Sequence, residues 1–120
     1  MKTRVLPWIA AACGAKGFLH WGFDSWYVTK DPFHDLTPGG LPPGDAWIVY
    51  PGSKGPIDSI RWEQTRDGID DHALLMKALV KNYGATVALI KQVVKTFSAY
   101  DTSVENFRNV RHQLLELDAG

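Results

Sequence analysis

The sequence predicts an α/β chain: the C-terminal segment of a TIM (β/α)8 barrel, with its last two strands and outer helix, followed by a helical hairpin. Two short apolar runs carry the barrel expectation. Gly17-Phe-Leu-His-Trp-Gly-Phe-Asp-Ser-Trp26 and Trp47-Ile-Val-Tyr-Pro-Gly52 each end in aromatic, polar and glycine residues. Parallel barrel strands are buried on both faces and read as continuous apolar runs, as Phe18-Leu19 and Ile48-Val49 do. The third observation is that apolar residues recur at helical spacing through the second half of the chain. Two strands do not make a sheet with its own core, so these runs read as the closing part of something larger. A free-standing α+β domain fits the same elements.

In order, residues 4–12 read as a helix, with Ala10, Ala11 and Ala12 supplying propensity and Gly14 a stop. Residues 17–23 form the first expected strand. From 24 to 45 runs a loop whose Asp31-Pro32 and Thr37-Pro-Gly-Gly-Leu-Pro-Pro-Gly44 forbid a regular helix. Residues 46–50 form the second strand, stopped by Pro51-Gly52. Asp58 or Ser59 then caps a helix to about residue 82, with Gly84 just beyond. Its inner stripe is Ile69, Ala73, Met76, Val80 and Tyr83, and Gly68 inside it implies a close packing contact. Thr86 opens the next helix, with Val87, Ile90, Val94 and Phe97 on one face and Lys91 and Lys95 on the other. Thr102-x-x-Glu105 reads as a capping box for a last helix striped by Val104, Phe107, Val110, Leu114 and Leu117. The expected division is therefore 1–83, the end of a barrel, and 84–120, a helical extension.

With 120 residues, 45% of them hydrophobic, the chain has one modest core and no disordered composition. Thirteen basic residues balance thirteen acidic ones and are scattered, which argues against a nucleic-acid partner. No basic amphipathic segment points to a membrane surface. Cys13 is the only cysteine, so no disulfide framework and no cysteine-based metal cage are expected. Met1-Lys2-Thr3-Arg4 ahead of an apolar run has the charge order of a secretory leader. Pro7 and Trp8, and the lack of a polar mature start, argue against one and leave the compartment open.

Taken together, Gly14-Ala-Lys-Gly-Phe-Leu-His-Trp-Gly22, Asp31-Pro-Phe-His-Asp35, Val49-Tyr-Pro-Gly52, and Ser59-Ile-Arg-Trp-Glu63 with Arg66-Asp-Gly-Ile-Asp-Asp71 resemble the end of the glycoside hydrolase family 123 catalytic domain (the DUF4091 family). The resemblance covers about the first two thirds of the chain, in the family's order. It implies a TIM-barrel enzyme acting on β-linked N-acetylgalactosamine by substrate-assisted chemistry. The substrate's acetamido oxygen attacks the anomeric carbon, an Asp orients it, and an adjacent Glu serves as acid and then base, an exception to the two-carboxylate scheme. This chain has no Asp-Glu dipeptide, so it is expected to carry sugar contacts without the catalytic pair, and to be inactive alone.

The candidate substrate-binding residues are His20, Trp21, Asp24, Trp26 and Tyr50. Trp21, Trp26 and Tyr50 fall at or just past the ends of the two expected strands, the barrel face where active sites form. Flat rings suit the apolar face of a sugar, while an imidazole, phenol or carboxylate holds its hydroxyls. The same rings would serve equally to plug a barrel top. His20 and Asp24, four apart, share one face of an extended strand; a hydrogen-bonding role fits them better than a metal, for which His34 is a distant third. Asp31, Asp35 and Asp45 read as carboxylates serving turns. The charge group of Arg61, Glu63, Arg66, Asp67, Asp70 and Asp71 reads as a solvated helix face, and Ser25 and Ser53 have no base partner. No cofactor or metal is expected. The expected partner is a carbohydrate, bound with the rest of the barrel, and exposed strand edges would invite self-association. A rival is a stand-alone carbohydrate-binding or interaction module, in which Val87, Ile90, Phe97, Phe107 and Leu114 close a core.

Overall fold

The structure, a computed structural model, describes residues 2–119. It is helical, and the two expected barrel strands do not form. Helix α1 spans Lys2–Cys13, α2 Ile60–Lys81, α3 Tyr83–Val93 and α4 Val104–Ala119, with short 3-10 turns at Trp26–Val28 and Pro38–Gly40. Among the described residues, extended pairing is limited to isolated antiparallel bridges, Asp24 with Trp47, Tyr50 with Ile57 and Val94 with Tyr100. The α/β assignment is therefore corrected. The physical reason lies in backbone pairing. A barrel strand needs ladder partners on both sides, and among the described residues the two apolar runs pair only with each other and, at Tyr50, with Ile57. They meet antiparallel, through Ser25 N–H to Ala46 O at 3.1 Å and Ile48 N–H to Phe23 O at 2.9 Å. Gly22 permits that approach: a Cβ there would lie 2.6 Å from the carbonyl oxygens of Asp45 and Ala46.

The chain divides into two compact units, Met1–Phe18 with Gln64–Gly120, and Leu19–Glu63. In the first, α1 ends at Gly14, whose φ of 67° allows Ala15 N–H to reach Ala10 O at 2.9 Å and its own N–H to reach Ala11 O at 3.2 Å, a Schellman ending. The boundary between α2 and α3 is a single residue. Asn82 does not end a helix before a Gly84 stop; it caps α3, its Oδ1 accepting from Ala85 N–H at 3.2 Å. Thr86, expected to open that helix, is buried within it and donates to Asn82 O at 2.7 Å. Ser103 rather than Thr102 caps α4, accepting from Asn106 N–H at 3.4 Å.

The core of this unit joins Val5 and Trp8 of α1, Leu75 and Ala78 of α2, Leu89, Ile90 and Val93 of α3, and Phe107, Val110 and Leu114 of α4. Trp8 meets Phe107 edge to face at 5.0 Å. The inward register of α2 is Gly68, Asp71, Leu75 and Ala78, one or two positions before the expected Ile69, Ala73, Met76 and Val80. Asp71, read as solvated, is 0% exposed. Its Oδ2 accepts from Arg4 Nε at 2.7 Å and Trp8 Nε1 at 3.2 Å, and its Oδ1 from Arg4 Nη2 at 3.1 Å and Arg111 Nε at 2.8 Å. Burial opposes the Arg4 charge, but the hydrogen bond and charge of Asp71, with a further pull from Asp67, raise its pKa above the ordinary value. One carboxylate thus ties α1, α2 and α4 together, and its partners set the rotation of α2.

Gly68 does mark a close packing contact. A Cβ there would lie 2.7 Å from Arg4 O and 3.1 Å from Pro7 Cγ. Gly68→Ala gains roughly 1 kcal/mol of helix propensity, yet pressing on a backbone carbonyl costs more, so a net loss of about 1–3 kcal/mol is expected. Urea unfolding of the full chain checks it: the midpoint should fall at unchanged slope, and a rise would mean that α1 shifts aside without strain.

Candidate functional site

All five candidate residues lie in the second unit, where the 45–50 segment holds most of them. Trp21 Nε1 donates to Asp45 Oδ2 at 3.1 Å. The backbone of Asp24 bridges to Trp47. Trp26 Nε1 donates to Val49 O at 2.8 Å. The neighbourhood expected from strand ends in a barrel thus arises from antiparallel docking of one loop on another. His20 is half-buried, and its Nδ1 accepts from Gly22 N–H at 3.2 Å. That bond requires Nδ1 to be unprotonated, so a neutral ring carries its proton on Nε2. His20 and Asp24 do not share a strand face, since residues 17–23 form no strand.

Tyr50 is enclosed. Phe33 stacks on it at 5.1 Å with an interplanar angle of 16°, and the Arg61 guanidinium lies 5.5 Å from its ring centroid. Trp47 meets it edge to face at 6.5 Å. Arg61 is held in turn by Nε donating to Trp47 O at 3.2 Å, beneath Gly44, where a Cβ would lie 2.8 Å from Arg61 Cδ. Ser59 caps α2, accepting from the N–H groups of Arg61 and Trp62 at 3.1 and 3.2 Å, while its hydroxyl donates to Ile48 O. Trp21 differs from Tyr50 in being 50% exposed. It has a fixed indole edge and an open ring, the geometry of a stacking platform.

Pattern reading misses Phe33, and it takes Asp45 for a turn carboxylate and Arg61 for part of a charged helix face. The signal for Asp45 was faint: a carboxylate just before an apolar run, at the same chain distance as a turn residue. Asp31 and Asp35 do serve turns. Asp31 Oδ1 accepts from Phe33 N–H at 3.1 Å, and Thr29 Oγ1 donates to Asp35 Oδ2 at 2.7 Å. His34 Nδ1 sits 2.8 Å from Asp31 Oδ2. That hydrogen bond foremost, with the Phe33 amide and the His34 charge, lowers the Asp31 pKa. A depressed carboxylate stabilises the fold above its unfolded pKa and loses that contribution as pH falls through the folded value. Acid that protonates Asp31 should therefore loosen the loop.

Among the described residues no group of three or more His, Cys, Asp or Glu converges to hold a metal, and no helix is long and apolar enough to cross a membrane. The family model of the glycoside hydrolase 123 catalytic domain matches residues 1–78. The chain belongs to glycoside hydrolase family 123. No curated protein matches it. The family segment therefore takes in α1, the whole candidate site and most of α2; α3 and α4 lie beyond it, both packed on it through the core and α4 also tied to it by the Arg111–Asp71 ion pair.

Proposed function

We propose that the chain acts as the C-terminal portion of a family 123 glycoside hydrolase that cleaves β-linked N-acetylgalactosamine or a related glycoside with substrate assistance. His20, Trp21, Asp24, Trp26 and Tyr50 contact the sugar, and the acid–base pair comes from outside this chain. Residues 1–83 belong to the catalytic domain and 84–120 form its helical extension. The observation that carries this reading is Trp21, a half-exposed ring inside the family segment whose edge is pinned to Asp45. The open ring offers a face to the sugar's C–H groups, and the second Asp45 oxygen faces no competing donor from Trp21 and is free to accept a hydroxyl. His20 Nε2–H supplies a donor. These groups bind and orient; none of them replaces a paired acid and base.

The test is turnover of an aryl N-acetyl-β-galactosaminide. The purified chain alone is expected to release no phenol, and to do so once combined with the preceding portion of a family 123 catalytic domain. Turnover by the chain alone would refute the division of labour. Absence of turnover by a formed complex would refute the assigned chemistry. A stand-alone binding module is favoured by one observation, the core of the first unit, which holds Ile90, Phe107 and Leu114 of the expected set but leaves Phe97 77% exposed; sugar binding by the isolated chain, unchanged in the complex, would decide for it.

A further inference from the structure

Helix α2 has two apolar faces. One, Leu75 and Ala78 beside Gly68, is packed into the core of the first unit. The other, Ile69, Met76 and Val80, is left to solvent, with Ile69 54% and Val80 89% exposed. A helix that is apolar on opposite sides is a buried helix; here only one side is covered. The open side borders a cavity of about 510 Å³, floored by Leu79, Ile90 and Val94 and walled by Met76, Tyr83 and Phe97. Tyr83 is 71% and Phe97 77% exposed. The cavity's charged lining is of one sign: Lys16, Lys91 and Lys95, with His72 the other titratable base and no carboxylate among the lining residues. A contiguous apolar surface of this kind marks an interaction site.

We infer that this groove seats an apolar segment edged by carboxylates, supplied by the part of a family 123 catalytic domain that lies outside this chain. The inference rests on the proposed function and adds where the two portions join. Two arguments select this occupant. First, residues 11–16, His72 and Met76, which make one wall, fall within the catalytic-domain match, while Tyr83, Lys91 and Phe97 opposite lie beyond it, so the groove runs along the edge of the matched segment. Second, charge excludes the simplest alternative. A symmetric dimer apposes the same patch from both copies, which would set Lys91 and Lys95 of one against those of the other, and like charges at an interface are disfavoured. A segment carrying Asp or Glu beside its apolar side chains meets the cationic rim with the opposite sign.

Cys13 lines the groove, is exposed and is the only cysteine, so its alkylation reports occupancy independently of activity. The probe is the amino-terminal portion of the catalytic domain from a complete family 123 member, ending where the alignment with this chain begins. Mixed with the full chain, it is expected to form a complex and protect Cys13 from a maleimide. Met76→Asp with Tyr83→Asp should weaken the complex by about 100-fold, as loss of central apolar anchors does, and Lys91→Glu with Lys95→Glu by about tenfold. All four side chains are exposed, and an unchanged melting curve confirms that the variants fold. No complex, a complex indifferent to both double variants, or a chain that self-associates until Met76→Asp is introduced would each overturn the inference. A groove-dependent complex that leaves the galactosaminide intact would refute the proposed chemistry and leave the docking site standing.

Discussion

Asp71→Ala is expected to lower the unfolding free energy of the full chain by about 3–5 kcal/mol, the cost of breaking a buried ion pair on one side. The carboxylate is fully buried and accepts from Arg4, Trp8 and Arg111, so its removal strips the Trp8 indole N–H of its acceptor and leaves Arg4 only Asp67 at 3.3 Å. Arg4 also lies 5.4 Å from the Phe107 ring centroid, and without Asp71 it must either stay charged against that ring or leave the core. Asp71→Asn keeps the shape but removes the charge and turns one acceptor into a donor facing donors, so it should recover little. Asp70→Ala, on the exposed side of the same helix, is the control and should change stability by less than about 0.5 kcal/mol. Urea midpoints decide: equal effects at positions 70 and 71 would mean that the network holds nothing together. Because the Arg4 charge is favoured in the folded state, its contribution persists into strongly alkaline solution. Replacing Arg4, Asp71 and Arg111 together by apolar residues should cost far less than Asp71→Ala, since no charge is then stranded.

The same residue explains what pattern reading could and could not see. Helices are legible where apolar spacing and caps agree, and α4 shows this in its Phe107, Val110 and Leu114 stripe. The α2 stripe misleads because Ile69, Met76 and Val80 have the right spacing and the wrong neighbours. The side that faces the core is chosen by Asp71, whose charge reads as a surface mark until its three donors from α1 and α4 are known. Those contacts span 40 residues or more of sequence, beyond any local window. The strands failed for the complementary reason. An apolar run states that a segment will be buried; 46–49 is buried, but Phe18 and Leu19 of the first run are 45% and 93% exposed, because parallel pairing depends on partners that local pattern cannot supply. At the candidate site, aromatic content pointed to Trp21, Trp26 and Tyr50, while their orientation rests on carbonyls and on Asp45. Tyr50, enclosed by Phe33 and Arg61, and Trp21, left open, are indistinguishable as letters.

That difference yields the sharpest functional expectation. In the completed catalytic domain, Trp21→Ala should raise KM for the galactosaminide by about 10- to 100-fold with a smaller change in kcat, the pattern of lost ground-state binding. Trp21→Phe keeps a ring but loses the N–H bond to Asp45, so it should fall between wild type and alanine. Asp45→Ala, which frees the ring edge and removes a candidate hydroxyl acceptor, should also act on KM; Asp45→Asn retains an oxygen for the indole and should be milder. Tyr50→Phe behaves differently. Phe33 and Arg61 already engage its ring, so a sugar would have to displace one of them to stack, and its hydroxyl is the group left to a sugar. If Tyr50→Phe leaves KM unchanged while Trp21→Ala raises it, the sugar lies on the Trp21 side of the unit. If both act equally, the phenol shares the subsite. If Trp21→Ala has no effect on KM while the protein remains folded, the exposed ring is not a sugar platform, and the assignment of the 45–50 segment as its anchor loses its functional meaning.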